Sequence, residues 1–105
     1  MLEEIARSVG GGAALVWVDA RFLQEHDVRH WAGPRSLPLW LPDDGIGIAS
    51  HDVSAAFATG LTTRPLADTA MDTLAWLRSD EGAARTGLTR AEEHELLKEW
   101  HSIRA

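Results

Sequence analysis

The chain predicts a small α+β (mixed α/β) domain in which a two- to three-stranded sheet packs with about five helices, and three observations carry that expectation. Apolar residues recur at three- and four-residue spacing in four stretches, the period of one helical face, and Asp19 marks the start of a fifth helix. A short unbroken apolar run, Ala13 to Val18, has the β-branched and aromatic centre of a strand covered on both faces. With 105 residues, 45% of them hydrophobic, the chain suits a single domain over residues 1–105 and is too short for two.

The opening helix places Leu2, Ile5, Ala6 and Val9 on one face, and Gly10-Gly11-Gly12 stops it. The strand Ala13 to Val18 follows. Asp19 is positioned to cap a helix from Ala20 to about Asp27, since its carboxylate can accept unpaired amide hydrogens of the first turn. Between Arg29 and Gly47, prolines, glycines and two tryptophans predict an ordered irregular loop. Within it, Leu39-Trp40-Leu41 and Ile46-Gly47-Ile48-Ala49 flank Pro42-Asp43-Asp44-Gly45, which predicts a hairpin.

Helical spacing returns with Val53, Ala56 and Phe57, capped by Ser50 or Asp52 and ended by Gly60. After Arg64-Pro65 a longer helix carries Leu66, Ala70, Leu74 and Leu77, with Met71 and Trp76 widening the stripe. Thr89 and Glu92 form a capping-box pair that opens the last helix. Its apolar face is Leu96, Leu97, Trp100 and Ile103; glutamates lie early and Lys98, His101 and Arg104 late, as the helix dipole favours. Trp17, Trp76 and Trp100 lie in patterned elements and are expected to pack.

A formal net charge of -6 with interleaved signs argues against nucleic acid as a partner. No apolar run approaches the ~20 residues of a membrane span, and the N-terminus is acidic where a secretory signal is basic, so no membrane partner is expected. The absence of cysteine excludes disulfides and thiol catalysis and is compatible with the cytoplasm.

Motifs for chemistry fail one by one. The three glycines follow a helix and precede a strand, the reverse of a phosphate-binding turn. His94-Glu95-Leu96-Leu97-Lys98 lacks the second histidine of a zinc-protease helix, and His26 with His30 has no evident third ligand, so no metal site is assigned. There is no Gly-x-Ser-x-Gly elbow, and Glu3-Glu4 and Glu92-Glu93 are adjacent, which points each pair to different sides of a helix. No catalytic residue is assigned. Flat indoles can stack on a sugar or an aromatic ring, and the loop tryptophans Trp31 and Trp40, flanked by Arg29 and Arg35, are the candidates for binding.

Read in order, Asp52-Val53-Ser54-Ala55-Ala56, Gly60-Leu61, Arg64-Pro65-Leu66-Ala67-Asp68-Thr69, Asp72-Thr73 and Trp76 resemble the tail of extended short-chain dehydrogenase/reductases, the NAD-dependent epimerase/dehydratase group. The opening helix, the strand from Leu15 to Asp19 and the Trp-rich loop resemble the preceding segment, especially in reductase-type members. The resemblance implies the fold of that family's C-terminal substrate domain. It departs at Ala55, where the family often has lysine, and in lacking an Arg-x-Gly-Asp stretch.

Enzymes of that group use a glycine-rich cofactor turn and a Tyr-x-x-x-Lys pair, and this chain has no tyrosine. The resemblance therefore implies a C-terminal substrate-binding fragment of an NAD(P)-dependent reductase or epimerase, with no Rossmann cofactor domain, no cofactor bound by this chain and no catalysis alone. Its partner would be a small-molecule substrate held together with a Rossmann half, and Trp31, Arg35, Trp40 and His51 would line the substrate cleft. The alternative is a structural or protein-interaction module that keeps this fold and forms a homo-oligomer through apolar surface left uncovered.

Overall fold

The computed structural model describes residues 1–80 and 85–104. It is a small mixed α+β fold with five α-helices, one 3₁₀ helix and one two-stranded parallel sheet among those residues. Contacts divide the chain into two compact units: unit 1 is Met1–Val16 with Asp52–Ala84, and unit 2 is Trp17–His51 with Arg85–Ala105.

Unit 1 is helical. Helix α1 spans Leu2–Ser8, with Glu3 and Glu4 in its first turn and Arg7 in its last, where the helix dipole favours those charges. Gly10 then takes a left-handed φ of 64°, which a residue with a Cβ rarely adopts. Helix α3, Ser54–Ala58, begins where Asp52 Oδ1 accepts the Ser54 N–H at 3.0 Å. The helix expected around Val53 and Phe57 is therefore present but short, and Gly60 follows it at φ 104°. Helix α4, Leu66–Ser79, starts just after Pro65 and packs against α1. Its half-buried residues Leu66, Ala70, Leu74 and Leu77 lie on one stripe, as the spacing predicts.

Unit 2 holds the buried core: Phe22, Leu23, Val28, Leu96 and Trp100, with Val18, Leu37, Trp40 and Leu88 packed around it. Helix α2, Ala20–Glu25, supplies Phe22 and Leu23. Helix α5, Arg90–Arg104, supplies Leu96 and Trp100, and the Phe22 and Trp100 rings meet edge to face at 5.2 Å. The capping box forms as expected: Thr89 N–H donates to Glu92 Oε1 at 3.2 Å, and Glu92 N–H to Thr89 Oγ1 at 3.1 Å. Strands β1, Arg29–His30, and β2, Ser36–Leu37, pair in parallel with Arg29 opposite Ser36 and His30 opposite Leu37.

Four expectations are corrected. Ala13–Val18 is not a strand; it is irregular, with Leu15, Val16 and Trp17 exposed. A strand requires a neighbour to receive its backbone hydrogen bonds. The ladder forms instead at 29–30 and 36–37, while Ala13–Val18 spans the junction between the units. The hairpin around Pro42-Asp43-Asp44-Gly45 is a 3₁₀ helix, Asp43–Ala49. Proline fixes φ at its N-cap, two acidic residues occupy its first turn, and Gly45 N–H reaches Pro42 O at 2.9 Å, so local helical bonds satisfy a backbone that very short strands would leave unpaired. Trp17 and Trp76, expected to pack, are 75% and 55% exposed. Only Trp100 of the three tryptophans in patterned stretches is buried.

Candidate functional site

The turn between β1 and β2 is the least ordinary piece of backbone in unit 2. Parallel neighbours are normally joined by a crossover of a dozen or more residues, because the chain must return to its starting end. Here residues 31–35 make that return, and left-handed φ values at Trp31 (68°), Gly33 (91°) and Arg35 (55°) bend the backbone round. Glycine adopts that region freely, whereas another residue pays about 1–2 kcal/mol.

At Trp31 the bend is a γ-turn of the rarer, strained hand, with Ala32 N–H donating to His30 O at 2.8 Å. Trp31 N–H is shared between Leu37 O at 3.3 Å and Trp40 O at 3.2 Å. Ser36 is fully buried and closes the turn, its hydroxyl donating to Gly33 O at 2.7 Å and its carbonyl accepting Leu88 N–H at 2.9 Å. A side chain at Gly87 would meet Ser36 O at 3.0 Å, so that close approach of two backbones requires glycine.

Arg35 is occupied by structure. Its Nε and Nη2 donate to His26 O at 3.0 and 2.7 Å, and its Nη1 donates to Glu92 Oε2 at 3.1 Å. It thereby ties the end of α2 to the start of α5. Thr89, through its hydroxyl and then its backbone N–H, together with the Arg35 guanidinium, holds the Glu92 carboxyl below its usual range, against a smaller opposing effect of burial. His26 adds a second tie: Nδ1 lies 2.8 Å from Phe22 O, Nε2 lies 3.1 Å from Glu99 Oε2, and the ring stacks on Phe22.

Trp40 is half-buried, and its ring lies 3.8 Å from that of His30, centroid to centroid. Trp31 is 54% exposed. His51 is exposed at the end of the first segment of unit 2. Thus Trp31, Arg35 and Trp40 share the β1–β2 turn and the residues just after it; among the described residues His51 makes no hydrogen bond, ion pair or ring contact with them, and Arg35 is engaged with protein groups. Arg29 was visible in the sequence only as a flanking cation. Its Nη1 lies 3.9 Å from where a Cβ at Gly33 would stand, which places the guanidinium over the same turn.

Among the described residues, no three His, Asp or Glu side chains are grouped so as to hold a metal ion. A shallow depression on α5 is lined by Glu95, Lys98, Glu99 and Ser102. No described helix is long and apolar enough to cross a membrane. Comparison with protein-family models, with curated proteins and with solved structures finds no match to this chain.

Proposed function

We propose that the chain is a protein-interaction module that associates with a second copy of itself through unit 1. One observation carries this reading: no described residue of unit 1 is buried, while Leu2, Val53, Phe57, Leu61, Met71 and Trp76 stand exposed. Apolar area left in water at ~25 cal/mol per Å² is a standing drive toward association. Homo-oligomers commonly form by pairing a patch with its own copy about a two-fold axis, which needs no other partner. A reducing cytoplasm suits a module without cysteine.

Sedimentation of the full chain tests this. The expected result is a concentration-dependent dimer that Phe57→Ser with Trp76→Ser returns to monomer. A monomer at every concentration, unaffected by those substitutions, defeats the reading.

A second reading has its own support, because the residues from Asp52 to Trp76 that resemble the dehydrogenase tail all belong to unit 1. In that reading the chain is the substrate-side portion of an NAD(P)-dependent reductase or epimerase, and the Rossmann half covers the apolar side chains. Neither reading expects this chain to bind cofactor, since both lack a phosphate-binding turn. Calorimetric titration with NAD and NADP should give no heat of binding, and micromolar affinity would refute both.

A further inference from the structure

We infer that Arg29 and Trp31 form a binding site for a small molecule that combines an aromatic or sugar ring with an anionic group. The backbone supplies the first reason. Of the left-handed positions between β1 and β2, Gly33 is unstrained, and Arg35 offsets its strain with three hydrogen bonds from its guanidinium. Trp31 has no comparable return: the residue is 54% exposed and its ring stacks on no other among the described residues. About half of the residue stays in water while its backbone carries a strained turn, a combination that marks the position for a role besides packing.

The second reason is charge. Arg29 is exposed, makes no ion pair or side-chain hydrogen bond among the described residues, and lays its guanidinium over Gly33, two residues from Trp31. An unpaired guanidinium takes a carboxylate or phosphate in a two-pronged grip, and an open indole face takes a sugar or aromatic ring. Strand β1 and the turn after it, which carry the two groups, are anchored by buried Ser36 and by the His30–Trp40 contact, so both sit on a braced support. This inference concerns unit 2 only and stands apart from association through unit 1.

The test is nitrogen-15 NMR of the full chain, following the Trp31 indole N–H, with benzoate and glucose 6-phosphate as ring-anion probes and benzyl alcohol and inorganic phosphate as single-feature controls. A saturable shift with a ring-anion probe, stronger than with either control, is expected; benzoate alone would mark an aromatic acid and glucose 6-phosphate alone a sugar phosphate. Arg29→Gln should weaken that binding about tenfold. Trp31→Gly should abolish it, followed by ligand-detected NMR, while Tm moves by less than about 8 °C. Absence of a saturable shift, equal response to a control, or indifference to Arg29→Gln overturns the site. A larger fall in Tm for Trp31→Gly assigns the indole to packing and overturns it equally.

Discussion

Among the described residues, unit 2 removes five apolar side chains from water and ties its elements with Arg35, His26 and the Thr89–Glu92 box, whereas unit 1, with a longer helix than α2 and comparable apolar content, buries none. The difference is geometric. In unit 2 a helix, a turn and a second helix approach from several directions and enclose Phe22 and Trp100. In unit 1 the principal packing is one helix against another, and a helix pair covers one stripe of each and leaves the remainder wet. Apolar residues at helical spacing are thus necessary for a core but do not enclose one.

The largest expected effect probes unit 2. Trp100→Ala should cost about 3–5 kcal/mol, read by urea denaturation, because a buried indole leaves a cavity against Phe22. A cost under ~1 kcal/mol would erase the contrast between the units. Arg35→Leu should cost about 1–3 kcal/mol, since His26 O and Glu92 each lose a charged donor. Leu74→Ala, at a half-buried position of α4, should cost about 1 kcal/mol, and amides of α4 should exchange with solvent before those of α5. Slower exchange in α4 would mean that unit 1 is the better protected of the two.

A pH series separates the units further. The Glu92 carboxyl is held below its usual value in the folded chain, so its contribution is present above the unfolded-state value and is lost as pH falls through the folded one. Thermal melts of Glu92→Gln and the parent chain should therefore converge at acidic pH and differ most near neutrality. Asp52 is shifted the same way, by the Ser54 backbone N–H first and its hydroxyl second, so Asp52→Asn should show the same convergence in unit 1. The smallest effect is expected at the exposed Arg64–Asp72 pair, 2.6 Å long: Arg64→Ala should change stability by about 0.5 kcal/mol or less.

Much of the helical part was legible in the sequence. The period of Leu66, Ala70, Leu74 and Leu77, the Thr89–Glu92 box and the stop after Val9 are local signals, and α4, α5 and α1 appear close to where those signals place them. Of the candidate binding residues, the sequence singled out Arg35 with Trp31, Trp40 and His51 and left Arg29 as a flanking cation. Which arginine is engaged by Glu92, 57 residues away in the chain, is a long-range fact that no local pattern carries. The left-handed backbone at Trp31 was equally hidden, since nothing about a tryptophan signals positive φ.

By itself, then, the sequence determined the α-helices, the Thr89–Glu92 cap and the charge asymmetry of the last helix, because those rest on hydrogen bonds and contacts within four residues, whereas the cap expected of the Asp19 carboxylate on α2 does not form. The tertiary structure decided the sheet and the core. Ala13–Val18 had the composition of a strand and found no ladder, while Arg29–His30 and Ser36–Leu37, with no strand signal, were brought side by side by a turn. Strand pairing and burial depend on what arrives from elsewhere in the chain, and that is settled only when the chain has folded.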